Sequence, residues 1–198
     1  MNYNEQCSLR GDLLNTVVTS KESILKCSRD IIIKKGVSAL SIRAVAAQAR
    51  ICVGSVYNYF SSKSDLLCAT VENIWMDIFE HSGSDVSFRD TGELIVWIFG
   101  CLEYGRRQYP GFLEGHAFIF PAEEKADGAA AMKKVRTHIL LRFSAVLEAD
   151  PQIREDAFSS SYTPQRCAEM LFSMIVSSAL HGEFDPYMVL ETVRRALY

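Results

Sequence analysis

From residue 19 onward, apolar side chains recur at i, i+3, i+4 and i+7, the period of one helical face, and hardly anywhere alternate as a strand would. The first stripe is Ile24, Leu25, Cys27, Ile31 and Ile32, which predicts a helix from about Thr19 or Ser20 to Lys35, stopped by Gly36. Before it, Leu13, Leu14, Val17 and Val18 either extend this helix or pack onto the domain. A second, short and Ala-rich helix carries Ile42, Val45, Ala46 and Ala49 behind Ser41 as its capping residue. In a third, Val53, Val56 and Phe60 share one face, Gly54, Ser55 and Asn58 point the opposite way, and Tyr57 and Tyr59 flank the border. Ser62, Lys63, Ser64 and Asp65 have capping-box form, so a fourth helix begins at Lys63 with Leu66, Leu67, Val71, Ile74 and Ile78 along its inner side.

The rest of the chain keeps the helical period. After a loop at 81–92, a fifth helix from about Glu93 to Gln108 buries Trp97, Ile98, Cys101 and Leu102, and Tyr109, Pro110 and Gly111 break it. A short aromatic helix, Phe112 to Phe120, ends at Pro121, and a polar loop around 122–128 leads to a helix from about Ala129 to Glu148 carrying Met132, Val135, Ile139, Phe143 and Val146. Thr163 before Pro164, and Asp185 before Pro186, each place a capping side chain ahead of a Pro at the first helical position. The penultimate helix shows Cys167, Met170, Leu171, Met174, Ile175 and Ser178, with a small-residue flank of Ser173, Ser177 and Ala179, and ends at Gly182. The last shows Leu190, Val193 and Leu197. Two adjacent apolar helices at the C-terminus either close the core of one chain or pair with their copies in a second.

The outer face of the third helix narrows the function. A surface helix without a task carries Lys and Glu there, whereas this one carries Gly, Ser, Asn and two phenols, groups suited to close approach to the polar edge of a DNA groove. Lys63 adds to this. A cation in a first helical turn opposes the macrodipole by a few tenths of a kcal/mol, roughly, unless an anion sits over it. Free amides at a helix start plus a Lys suit a phosphate.

The run from Leu40 to Leu67, with Val53, Gly54, Ser55, Val56, Tyr57, Asn58, Tyr59, Phe60, Ser61, Ser62 and Lys63 at its centre, resembles the DNA-binding domain of the TetR family of bacterial transcriptional regulators; residues 19–36 resemble that family's first helix. The match covers about a third of the chain, and its Tyr-x-x-Phe-x-x-Lys ending is far less common than a bare helix-turn-helix. The resemblance implies an all-α protein with an N-terminal three-helix helix-turn-helix DNA-binding domain (1–63) followed by a helical-bundle effector-binding and dimerisation domain (64–198). Carried over by position, it implies that Arg43 reaches a base or phosphate, that Ser55, Tyr57 and Asn58 lie against the major groove with Gly54, and that Tyr59 and Lys63 contact phosphates. One position departs: the family usually has Gly in the turn, and here it is Arg50. Either Arg50 keeps the left-handed conformation at about 1 kcal/mol or the turn is reshaped, and Arg50 itself can add a phosphate contact.

The resemblance further implies a homodimer through the last two helices, with Met170, Met174, Ser177, Ser178, Leu190, Val193 and Leu197 at the interface. Within the bundle, Trp97, Tyr104, Phe112, His116, Phe120, Phe143 and Met174 are the candidates to line an effector cavity, and His116, His138, Glu114 and Tyr104 the candidate polar anchors. The bland reading of each aromatic is core, and of each His or Glu a solvated or structurally bonded side chain.

Charge agrees with two parts. Residues 1–63 hold nine Lys or Arg against four acids, a net +5, and the remainder is −8, which together give the chain's −3. With 48% hydrophobic residues there is ample core, and no apolar run is long enough for a membrane span. The first residues lack the basic flank and apolar run of a signal peptide, so a cytoplasmic protein is expected. Six cysteines are scattered without zinc spacing, which predicts reduced thiols, mostly buried, with Cys52 beside Arg50 the one placed to sense oxidation. No nucleophile elbow, phosphate loop or zincin motif is present, so neither an enzyme nor a cofactor or metal site is expected. The expected function is a ligand-responsive regulator, a repressor released from a double-stranded DNA operator by a small apolar or amphipathic effector. The alternative is a helix-turn-helix regulator controlled by a protein partner or by thiol oxidation at Cys52.

Overall fold

The computed structural model describes residues 19–80, 86–115 and 125–198, with backbone alone at 80, 114–115 and 125–135. Regular structure among the described residues is all helical. The chain divides into two compact units, Met1–Thr70 and Val71–Tyr198.

In the first unit, α1 (Lys21–Lys35) opens on a reciprocal cap: Ser23 N donates to Ser20 Oγ at 3.1 Å and Ser20 N to Ser23 Oγ at 3.2 Å. It closes at Gly36, whose φ of 80° lets the backbone turn away. A 3-10 turn at Val37–Ala39 leads to Ser41, which caps α2 (Ile42–Ala49) by accepting from Ala44 N at 3.1 Å. Then come α3 (Val53–Tyr57) and α4 (Lys63–Glu80). Ile24, Leu25, Ile31, Ile32, Ile42, Val45, Ala46, Val56, Phe60, Leu66 and Leu67 are all buried, so the stripes read from the sequence meet in one core. Cys27 is the exception. It lies half-buried beside the stripe, and Ser28 takes the inner position, its hydroxyl donating to Ile24 O at 2.9 Å.

The second unit contains α5 (Thr91–Gln108), α6 (Phe112–Gly115), α7 (Lys125–Ala149), α8 (Pro164–Leu180) and α9 (Tyr187–Leu197). α7 packs along α8, and α5 lies against α7 and α9. The expected cap before Pro164 is present, with Arg166 N donating to Thr163 Oγ1 at 3.3 Å. At the last helix the expectation shifts by one residue: Pro186 is the N-cap rather than the first helical residue, and Asp185, one position earlier, accepts from Tyr187 N at 2.9 Å. Of the aromatic helix expected over 112–120, residues 116–120 lie outside the described residues. Val193 and Leu197, expected on an interface between chains, are buried in this unit's own core. The side of α9 left exposed is instead Tyr187 and Met188.

A buried carboxylate ties the start of α5 to both the end of α7 and the chain's last residue. Asp150 accepts from Thr91 N at 2.8 Å, Thr91 Oγ1 at 2.7 Å and Tyr198 Oη at 2.6 Å through one oxygen, and from Gln152 N at 3.0 Å through the other. Burial pushes the Asp150 carboxyl up, but the hydrogen bonds from Tyr198, Thr91 and Gln152 outweigh it and hold its pKa below the ordinary value. A depressed carboxylate stabilises the fold above its unfolded pKa and ceases to do so as pH falls through the folded one. Stability of the wild type should therefore decline as pH drops below about 4. Asp150→Asn, which loses an acceptor lobe facing several donors, should cost about 1–3 kcal/mol at neutral pH and flatten that acid slope. Urea unfolding followed by circular dichroism at several pH values checks both.

Candidate nucleic-acid interface

The turn between α2 and α3 sets the angle at which α3 leaves the domain. Arg50 sits at φ 56°, ψ 43°, the left-handed conformation, so of the two outcomes open for this position the first holds. Its N–H donates to Ala47 O at 3.3 Å and Ile51 N donates to Ala46 O at 3.0 Å. These two bonds close the end of α2 as a Schellman motif, and they offset the roughly 1 kcal/mol that a side chain costs there. Arg50 and Arg43 are both exposed on α2 and its turn.

α3 is short. Its helical bonding runs on to Phe60, whose N–H donates to Val56 O at 3.0 Å, and both side chains are buried. Gln48 Nε2 donates to Cys27 O at 3.2 Å, fastening α2 to α1. The Lys21 ammonium lies 5.6 Å over the Phe60 ring. With Val56 and Phe60 inward, Gly54, Tyr57, Asn58 and Tyr59 are exposed and Ser55 is half-buried, so the face read from the sequence is the face presented. Tyr57, 53% exposed, is an aromatic held in water. Tyr59 differs from expectation in one respect: its hydroxyl donates to Thr19 O, so its single proton is already committed within the domain.

At the start of α4, Asp65 N donates to Ser62 Oγ at 3.0 Å, the expected cap. The Asp65 carboxylate does not return to the Ser62 amide, as a capping box would require. It accepts from Ser61 N at 2.8 Å and Ser61 Oγ at 3.1 Å, one residue earlier. Lys63 is exposed on the first turn beside this carboxylate.

The cysteines split into two groups. Cys27, Cys68, Cys101 and Cys167 are free thiols. Burial raises Cys27, helped by the charge of Asp30 and opposed by Lys26; it pushes Cys101 up to about 12 against the pull of Arg142, and raises Cys167 against the hydrogen bond from Tyr162. Protonated, these three are poor nucleophiles and serve packing. Cys52, expected to be reduced, is disulfide-bonded. It occupies the N-cap of α3.

In the second unit, the expected effector-lining residues are only partly brought together. Phe112 and Phe143 are buried, Tyr104 and Met174 half-buried, and Trp97 half-buried with its Nε1 fully enclosed, while His116 and Phe120 lie outside the described residues. Phe112 lies 5.6 Å from Trp75, which stacks on Phe79 at 5.8 Å; Phe79 in turn meets Trp97 at 5.8 Å, and Trp97 meets Phe88 at 5.3 Å. Tyr109 Oη donates to Asp77 at 2.7 Å on the same side of the cluster as Phe112. Arg142, absent from the expected set, stands with its guanidinium carbon 5.6 Å from both the Phe88 and Trp97 rings. The signal that could have found it is a lone cation directly before Phe143 on an apolar face. Of the expected interface residues, Met170 and Ser177 are exposed, and Met174, Ser178 and Leu190 half-buried. Among the described residues, no cluster of side chains suits a metal ion, and no helix is long and apolar enough to cross a membrane.

Residues 24–70 match the family model described as bacterial regulatory proteins, tetR family. No curated protein sequence matches the chain. Solved structures share its fold at low identity. FadR from Bacillus subtilis, in complex with stearoyl-CoA, is 16% identical with a TM-score of 0.64 over 90% of this chain and 100% of that one. The multidrug binding protein EbrR, complexed with imidazole, is 18% identical with a TM-score of 0.58 over 89% and 94%. The reduced form of E. coli NemR is 19% identical with a TM-score of 0.53 over 89% and 97%.

Gly54 gives the sharpest test of the interface. A Cβ at this position would meet nothing within 4 Å, and its φ is ordinary, so nothing inside the domain requires a glycine. Gly54→Ala should therefore stabilise the domain, by about 0.5–1 kcal/mol from helix propensity, while weakening operator binding at least about tenfold through a clash with the DNA. Thermal melts and a fluorescence-anisotropy titration on the same sample check it; an alanine variant that binds at wild-type strength would place the DNA elsewhere.

Proposed function

Through residues 24–70 the chain belongs to the tetR family of bacterial regulatory proteins, and we propose that it is a cytoplasmic, ligand-responsive regulator of transcription. In this reading it is a homodimer whose two α3 helices occupy successive major grooves of a double-stranded operator. A small apolar or amphipathic effector in the second unit releases it, making it a repressor. The observation that carries the reading is the outer face of α3, where an exposed Gly, Asn and two Tyr stand over a buried Val56 and Phe60. Arg43, Arg50 and Lys63 supply cations around it for phosphates, a sequence-independent contribution that falls with salt. Regulators of this kind are not enzymes, and the effector is proposed by analogy with neighbours that hold stearoyl-CoA or imidazole. Coupling would run through α4, one helix whose first turns belong to the reading unit and whose later turns belong to the second. A dimer binds tightly only when its heads match grooves about 34–36 Å apart, or a multiple, so a small shift of α4 suffices to switch it.

A dimer built on α8 and α9 fits the apolar side chains these helices leave in water: Met170, Leu180, Tyr187 and Met188, the last 66% exposed. Met170→Glu with Met188→Glu should leave the monomer folded, because neither side chain belongs to its core, and should split the dimer. Loss of the second head turns an intramolecular contact into a bimolecular one, so specific binding should fall by about two orders of magnitude or more. Sedimentation with circular dichroism decides it; a folded dimer of the double variant would put the interface on α7.

One observation favours control by thiol oxidation as a second reading: the disulfide-bonded residue Cys52 sits immediately before the reading helix. In a reducing compartment such a bond is transient and suited to sensing. A dithiol reductant should then change operator affinity of the wild type at least severalfold and leave Cys52→Ser unchanged. Equal affinity of the wild type with and without reductant removes this reading.

A further inference from the structure

We propose that Arg142 and Trp97, walled by Phe79 and Phe88, form an anion subsite in the second unit that takes the carboxylate of an apolar organic acid. The proposal rests on the reading of this unit as the effector module and names the chemistry that the effector must offer.

Two donors carry the argument. Trp97 Nε1 is fully enclosed, and among the described residues no atom accepts its hydrogen bond. A buried indole N–H nearly always finds an acceptor, so an orphan in an otherwise packed aromatic cluster marks a place where an acceptor arrives from outside. The second donor is the Arg142 guanidinium, half-buried over the faces of Phe88 and Trp97. One of its N–H groups donates to Val86 O at 2.8 Å. That is one bond from a fork with five donors, and among the described residues no carboxylate pairs with it. Tying residues 86–88 to α7 accounts for the guanidinium's position. It does not account for the silent indole.

The two donors are neighbours: the guanidinium carbon lies 5.6 Å from the centre of the ring whose edge carries the N–H. Two N–H groups at a fixed positive charge recognise an oxyanion. A cation is disfavoured, because the guanidinium repels it and already takes one face each of Phe88 and Trp97. The remaining walls define the rest of the molecule. Phe79 meets Trp97 at 5.8 Å and stacks on Trp75 at 5.8 Å, a surface that gains from an apolar body and offers nothing to a small hydrated anion.

The test uses the full chain and three probes of one shape, 1-naphthoate, 1-naphthamide and 1-naphthylmethylammonium, titrated by calorimetry. Wild type should bind the carboxylate at least about tenfold more tightly than the amide and should not bind the cation measurably. Trp97→Phe keeps an aromatic ring and removes the N–H; it should lower naphthoate affinity about fivefold and naphthamide affinity by less, because a bond to a charged acceptor is worth more than one to an amide carbonyl. Arg142→Met should abolish the preference for the carboxylate. If it fails to fold, Trp97→Phe, with Trp75 as the remaining fluorescent reporter, carries the test alone. Equal affinity for acid and amide, wild-type selectivity in Trp97→Phe, or no binding of naphthoate overturns the subsite. The effector reading is judged separately, by whether bound naphthoate changes operator affinity: selective binding without that change would keep the subsite and remove the regulatory role.

Discussion

A helix of five residues does not hold itself together in water, because nucleation fixes several dihedrals for very few hydrogen bonds. The reading surface therefore exists only while Val56 and Phe60 stay buried beneath α3 and the turn at Arg50 keeps its left-handed form. Every outward group on that helix inherits its direction from this anchoring. α3 packs against α2, which in turn packs against α1, and the bond from Tyr59 to Thr19 ties the end of the reading segment to the residue before α1's cap. That bond gives Tyr59 a bracing role in the free domain, so its contribution to phosphate binding would come through the ring or through an exchange of partners.

The second unit is organised by a different economy. One carboxylate, Asp150, collects four donors from Thr91, Gln152 and Tyr198, so the start of α5, the end of α7 and the end of the chain are fixed at a single buried point. The opposite arrangement holds around Trp97, where a donor is enclosed and left unused. An unpaired buried donor costs roughly 1–3 kcal/mol. In the proposed subsite a ligand that removed the deficit would bind with that much help, and the aromatic side chains from Phe88 to Phe112 pack against one another in a continuous chain.

Most of the helices were legible because caps and stripes are local. Ser41, Ser62 and Thr163 cap as their spacing suggested, and Leu66, Leu67, Val71, Ile74 and Ile78 line the inner side of α4. The face of α3 was legible for the same reason. What periodicity cannot give is the destination of a face. On α9 it marked Val193 and Leu197 as apolar, but only packing assigns them to the chain's own core and leaves Tyr187 and Met188 outside. Partnerships distant in sequence were equally hidden: Asp150 and Tyr198 are 48 residues apart, Arg142 and Val86 are 56, and nothing in the cysteine spacing singled out a bond at Cys52. A lone arginine before Phe143 on an apolar helix face is a visible signal, but only the rings of Phe88 and Trp97 beside it show where its guanidinium goes.

Two residues of the reading unit work against its own stability. Arg50 holds a conformation that glycine would adopt freely, and Gly54 occupies a helical position that alanine would fill at no steric cost, each a loss of about 1 kcal/mol. The two are exchanged relative to what folding alone would choose, with a side chain where none is wanted and none where one is free. Both lie on the exposed side of the turn and helix. The proposed DNA-binding role would account for both at once, since a phosphate would reward a cation at the turn and close approach to a groove would require an open backbone one turn later. Ile24, Val45 and Val56 beneath this edge are fully buried, so neither deviation interrupts the apolar core on which the turn and helix rest.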